Sequence, residues 1–196
     1  MNVPFDSLTQ ASDEALLVLY GNGDREAARV LTLRLSPRVL GFAIRMLKDR
    51  AEAEDVVQEA MLKLWNIAQE WRQGEAKVST WLYRVVSNLC TDRLRRKRGV
   101  GLDEIAEPLD DAPGAEATLQ THARLSALDA ALLQLPERQR QAVILRHIEG
   151  LKNSEIAEIM NVGVEAIESL TARGKRSLAA ILQGKKEELG YTDDGL

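Results

Sequence analysis

Between Lys77 and Arg98, KVSTWLYRVVSNLCTDRLRRKR, one helical period carries two faces that cannot share an environment. Val78, Trp81, Leu82, Val85, Val86 and Leu89 recur at the spacing of an apolar stripe, which has to be buried against other elements. On the far side, Arg84, Asn88, Thr91, Arg95 and Arg98 fall in one line, and the stretch closes on Arg93, Arg95, Arg96, Lys97 and Arg98. A charge run alone would be a solvated face. An amide and a hydroxyl interleaved with arginines form instead the mixture that holds phosphates and reads base edges. The chain must therefore fold so that this helix has one side in a core and the other within reach of nucleic acid.

The rest of the composition narrows the fold class. Aromatics make up 4% of the chain, hydrophobic residues 45%, and no stretch sustains period-two alternation, so an all-α protein with packed cores is expected. The lone Cys90 cannot form an internal disulfide and reads as a free core thiol. No apolar run approaches the roughly 18 residues of a membrane span. The opening MNVPFDSLTQ lacks the basic start and apolar run of a signal peptide, which predicts a cytoplasmic chain without membrane insertion. His122 and His147 lie in different segments, Cys90 is distant from both, and there is no Gly-rich phosphate loop. Neither catalysis, nor a metal, nor a cofactor is expected.

A net charge of −4 argues against a nucleic-acid ligand until it is divided by segment. Residues 99–120, GVGLDEIAEPLDDAPGAEATLQ, hold Asp103, Glu104, Glu107, Asp110, Asp111 and Glu116 and no Lys or Arg. With those six set apart from the 30 acids, 24 remain against 26 Lys and Arg. The segment also holds Pro108, Pro113 and three glycines and lacks helical periodicity. It reads as a flexible acidic linker between two small helical domains, 1–98 and 121–196.

In the first of these, Ser12 and Asp13 can cap a short helix that Gly21-Asn22-Gly23 ends, and Asp24 caps the next. Pro37 is expected to kink or restart that second helix. Asp49 and Glu52 resemble a capping box for RAEAEDVVQEAMLKLWNIAQEW, whose buried stripe runs through Ala53, Val56, Val57, Ala60, Met61, Leu64, Trp65 and Ala68. Its far face carries Asp55, Glu59, Leu62 and Asn66. One exposed leucine is ordinary; flanked by two carboxylates, it can also be the centre of a protein-docking patch. Arg72 to Ser79 reads as a short loop.

In the second domain, Leu125, Leu128, Ala131, Leu132 and Leu135 mark a helix, and Pro136 opens another that Gly150 stops. KNSEIAEIM, the turn Asn161-Val162-Gly163 and VEAIESLTARGKRSLAAIL then form a helix-turn-helix pattern, with Ile156, Ile159, Val164 and Ile167 expected to pack between the helices.

Asp49 to Trp65 followed by Ser79 to Arg98, with Asp55-Val56-Val57-Gln58-Glu59, Thr80-Trp81-Leu82, Asn88 and Arg93 to Arg96 at their spacing, resembles the second conserved region of bacterial sigma factors of the extracytoplasmic-function (ECF) group. LPERQRQAVILRHIEGL and the helix-turn-helix resemble the fourth. That resemblance implies a subunit that binds RNA polymerase core and directs promoter-specific initiation, under the control of an anti-sigma factor. It implies that Asp55, Gln58, Glu59, Leu62 and Asn66 dock on the β′ clamp helices, and that the second domain engages the β flap. Arg84, Asn88, Thr91, Arg93, Arg95 and Arg96 would then serve the minus-ten element. Glu165, Glu168, Ser169, Ala172, Arg173, Lys175 and Arg176 would serve the minus-thirty-five element.

The chain departs from the family pattern at Lys152, where many members have a Ser or Thr cap, so the cap is expected at Asn153. It departs again at Glu168 and Leu170, which replace two cations. Glu165 and Glu168 either accept from cytosine N4 groups or favour the positive end of the helix dipole, the simpler role. The other function class that the residues allow is a free-standing helix-turn-helix regulator with an N-terminal signal or dimerisation domain.

Limited proteolysis of the free protein is expected to cut first between Gly99 and Gln120. First cuts inside either helical domain would refute the division.

Overall fold

The computed structural model describes residues 5–72, 74, 77–100 and 116–183, and every regular element within them is helical. The first half contains α1 (Phe5–Gln10), α2 (Asp13–Gly21), α3 (Arg25–Leu47), α4 (Arg50–Ile67) and α5 (Val78–Val100). The second contains α6 (Glu116–Leu133), α7 (Glu137–Val143), which runs into a π-helical turn (Ile144–Ile148), α8 (Asn153–Met160) and α9 (Val164–Gln183).

The caps fall where side-chain oxygens can meet orphan amides. Ser12 accepts from the Ala15 N–H at 3.2 Å, Asp24 from Glu26 at 3.0 Å and Asp49 from Glu52 at 3.0 Å, each worth about 1 kcal/mol. Pro37 does not restart the helix, since α3 runs unbroken from Arg25 to Leu47. Leu33, four residues before it, is 62% exposed and Pro37 is exposed too, so the carbonyl that loses its donor lies on the wet face of the helix. The cap expected at Asn153 is also corrected: Lys152 stands at the N-cap and Asn153 is the first helical residue. Lys152 has no side-chain acceptor to offer. Its backbone N–H donates instead to Glu155 at 2.9 Å, so the acid three residues on does the capping.

Leu31, Leu35, Val39 and Phe42 of α3 meet Val56, Ala60 and Leu64 of α4 and Val78, Leu82 and Val86 of α5 in a dry core. Gly21 lets α2 end against the end of α4, since a Cβ there would stand 2.8 Å from the Ala68 carbonyl oxygen. In the second half Ile156, Ile159 and Ile167 are buried as expected, but Val164 is 39% exposed and half-buried Val162 packs on the core in its place. Asn161 makes the turn in the left-handed region, at φ 51°.

Two further expectations change at the joint between the halves. Helix α5 continues through Gly99 and Val100 and α6 begins at Glu116, so the ends of the segment read as linker are helical; 101–115 lie outside the described residues. The buried positions of α5 are also rotated from the stripe read in the sequence. Trp81, Val85 and Leu89 are only partly buried, while Thr80, Tyr83, Ser87 and Cys90 are buried. The cause is the second half, which packs along that face through α8, with Gln141 of α7 bonded to Ser87, so that the buried residues of both halves form one contiguous core.

Within the second half, α9 crosses α7 at Gly174, where a Cβ would lie 2.6 Å from Val143 Cγ2 and 3.2 Å from the Gln139 carbonyl oxygen. Gly174→Ala is therefore expected to destabilise the protein by about 1–3 kcal/mol through overpacking. Gly99→Ala, whose Cβ would meet nothing within 4 Å, should be neutral or stabilising. Thermal unfolding of both variants checks the contrast.

Candidate nucleic-acid interface

The outer edge of α5 is a consequence of its core face. Once Val78, Leu82 and Val86 are fixed in the core, the 3.6-residue period turns Arg84, Asn88, Arg95 and Arg96 to solvent, with Thr91 and Arg93 half-buried beside them. The cations are not equally available. Lys97 pairs with Glu52 at 3.1 Å and with Asp49 at 3.7 Å, both at the start of α4. Glu52 thereby completes an inter-helix pair, and Asp49 remains the side-chain cap of α4. Arg98 pairs with Glu137 of α7. Arg95 makes an exposed pair with Asp92 at 2.8 Å within its own helix.

Asn88, Thr91, Arg95 and Arg98 line a cleft of about 590 Å³ whose other wall is Glu137, Arg138, Gln141, Ile159 and Met160 of the second half. Across the same joint Gln141 Nε2 donates to Ser87 Oγ and the Tyr83 hydroxyl to the Glu149 carboxylate. Burial, followed by the bond to Glu149, holds the Tyr83 phenol well above its ordinary range. Burial likewise pushes the Cys90 thiol up to about 12, with the Arg140 guanidinium opposing it. Lys77 donates to Glu155 at 2.6 Å and Arg45 to Asp129 at 3.1 Å. The bond to Lys77 is the main cause of the lowered Glu155 pKa.

On α4 the second group assembles on one face. Asp55, Gln58, Leu62 and Asn66 are exposed and Glu59 is half-buried, paired with Lys63 at 2.9 Å. Leu62 is 56% exposed among them, a large apolar side chain at the centre of a polar surface.

The third group lies on α9. Glu165, Glu168, Ser169, Ala172, Arg173 and Arg176 follow the i, i+3, i+4, i+7, i+8, i+11 pattern of one face, and all are exposed. Arg173 is steered along the helix by Ser169, whose Oγ accepts at 2.7 Å. Glu165 folds back over the turn, its carboxylate 3.2 Å from where a Cβ on Gly163 would stand, in the position of a helix-start acid. Glu168 alone of the two acids projects from the middle of the face. Lys175 sits at the rim, next to His147, and with Arg146 forms a cationic group that the sequence reading missed. His147 is lowered by burial first and by Lys175 and Arg146 next. Arg146 and His147 both lie in the π-helical turn that follows α7.

Among the described residues no cluster of His, Cys, Asp and Glu can hold a metal ion, and no helix is long and apolar enough to cross a membrane. Residues 31–100 match the family Sigma-70 region 2, and residues 125–178 match Sigma-70, region 4. The chain is 31% identical to the RNA polymerase sigma-H factor of Pseudomonas aeruginosa, over 90% of this chain and 96% of that protein. It is 32% identical to the ECF RNA polymerase sigma factor SigM of Mycobacterium tuberculosis, over 99% and 93% respectively. Among solved structures it resembles the sigma factor RpoE of Bartonella quintana, crystallised with the anti-sigma factor NepR. The TM-score is 0.65 at 26% identity, covering 78% of this chain and 94% of that one.

Proposed function

The chain belongs to the ECF group of sigma-70 factors, and from that membership we propose how its three surfaces divide the work of directing RNA polymerase to promoters. The observation that carries the division is that both matched regions occur in one chain, each on a half with an exposed cationic helix face. The α4 face around Leu62 docks on the β′ clamp helices of core polymerase: a central apolar side chain ringed by acids and amides suits a protein partner better than DNA. Asn88, Thr91 and Arg84 read the opened minus-ten element, while Arg93, Arg95 and Arg96 hold its phosphates. On α9, Arg173, Lys175 and Arg176 hold the phosphates of the minus-thirty-five duplex, Ser169 and Ala172 line the groove, and Glu168 reads a cytosine. Glu165 acts as a helix-start acid. The second half also engages the β flap, an anti-sigma factor controls the chain, and it performs no chemistry of its own while working with polymerase in the cytoplasm.

Run-off transcription with core polymerase and genomic fragments tests the whole reading. Transcripts should appear only when the chain is added, and the chain without core should footprint duplex promoters weakly. A full footprint without core would instead favour a free-standing regulator.

Two predictions separate the surfaces. Glu59→Lys removes a partly exposed pair of small worth, so the fold should persist while affinity for core polymerase falls; unchanged affinity in a titration refutes the docking face. Asn88→Ala should cost about 1–3 kcal/mol of discrimination at one promoter base, because the lost amide both donates and accepts. Arg95→Ala should weaken all promoters alike and flatten the salt dependence. Holoenzyme binding to single-base promoter variants distinguishes the two; a uniform loss for Asn88→Ala would remove it from base reading.

A further inference from the structure

The cleft between α5 and the second half, about 590 Å³ in volume, falls within the roughly 300–1,000 Å³ of small-molecule sites. Ile159 and Met160 of α8, 2% and 8% exposed, give it an apolar wall. Ser87 and Gln141 line it as well, but their polar groups are spent on each other. The polar groups left for a ligand on the facing wall are those of Asn88 and Thr91. They bring an amide and a hydroxyl, each able both to donate and to accept. A few convergent polar groups beside an apolar surface are what fix the orientation of a small bound molecule.

The charge on the cleft is one-sided. Three guanidiniums, those of Arg95, Arg98 and Arg138, line it against the single carboxylate of Glu137. Arg138 is exposed and pairs with no acid among the described residues. The side chains of Arg95 and Arg98, 76% and 68% exposed, are tied to Asp92 and Glu137. Ties in solvent are weak, and a phosphate, which a guanidinium can grip through two N–H groups at once, can replace them. Releasing Arg98 does not strand Glu137. Arg140, buried and with its Nε unpartnered among the described residues, lies close enough to that carboxylate to serve as its counter-charge.

We propose that this cleft is a binding site for a free nucleotide carrying two or more phosphates. Arg95, Arg98 and Arg138 hold the phosphates, the base lies on Ile159 and Met160, and Asn88 and Thr91 bond its edge or the ribose. The three guanidiniums alone would suit any polyanion. The apolar wall beside them, with a thioether to set against a flat ring, selects a phosphate ester that carries an aromatic group. The proposal does not rest on the assignment of the α5 edge to DNA. A strand held by that edge needs neither Arg138 nor Met160, which belong to the second half, whereas the nucleotide needs both.

The test titrates the full chain into ATP and GTP that carry a fluorophore on the ribose and follows anisotropy. Binding should saturate for at least one of the two. Arg138→Glu should weaken it by about tenfold or more. Arg50→Glu, the same change of charge on α4 and away from the cleft, should leave it as it was. Unlabelled nucleotide should displace the probe, and pyrophosphate, which has no base, should do so only at much higher concentration. A second measurement uses the unaltered chain with isotope-labelled methionine methyls. On saturation the Met160 signal, assigned through Met160→Leu, should move, and that of Met46, buried in the core of the first half, should stay. Absence of saturable binding overturns the proposal. So do equal weakening by Arg50→Glu, equal displacement by pyrophosphate, and an unmoved Met160 signal. None of these readouts requires that α5 bind DNA, so their failure leaves the minus-ten assignment standing.

Discussion

The burial of α5 is the constraint on which the other features depend. Its residues Val78, Leu82 and Val86 are held by α3 and α4, and the 3.6-residue period then fixes where every other side chain on the helix must look. That one placement produces three faces: a dry one toward α3 and α4, a polar one through Thr80, Tyr83, Ser87 and Cys90 toward the second half, and a cationic edge between them and the solvent. The Tyr83 ring marks the border. It packs edge-on to Phe42 of α3 with centroids 5.7 Å apart, while its hydroxyl crosses to Glu149.

The two kinds of contact differ in what separates them. Where α9 crosses α7, Gly174 admits Val143 and the Gln139 backbone at van der Waals distance, and an apolar contact of that shape is lost entirely once parted. Across the halves the contact is mixed: buried apolar residues of both join in one core, and the Ser87–Gln141 and Tyr83–Glu149 bonds lie at the same joint. The halves are therefore joined by hydrocarbon as well as by hydrogen bonds.

Much of this was legible in the residues. The caps at Ser12, Asp24 and Asp49 follow from short side-chain acceptors before apolar periods, the turn Asn161-Val162-Gly163 ends and starts helices where expected, and the cationic edge of α5 follows from spacing alone. What failed did so because local chemistry was decided by something distant or by a rival local group. Pro37 does not end α3 because the carbonyl that loses its donor faces solvent, and which face is wet is a tertiary fact. Lys152 holds the N-cap because Glu155 reaches back to its N–H. The polar face of α5 went unassigned because Tyr83, Ser87 and Cys90 resemble neither a stripe nor a charged edge until Gln141 and Glu149, more than fifty residues on, stand against them. The grouping of Arg146, His147 and Lys175 joins two elements that no local periodicity relates.

The way the cations are held bears on what they can do. Arg95 leans on Asp92 and Arg173 on Ser169, each within its own helix and in solvent. Such ties are worth a few tenths of a kcal/mol, so they orient a guanidinium while leaving it free to exchange its partner for a phosphate, a stronger charged acceptor. Lys97 is different: paired with both Asp49 and Glu52, it joins α5 to the start of α4 and belongs to the scaffold. Arg98 is different again, since its carboxylate comes from the other half. Along a single turn of one helix, then, Arg95 is available, Lys97 is committed and Arg98 is tied to the other half. A run of five cations in the sequence is for this reason not one binding site but three roles, divided by which acid each side chain can reach.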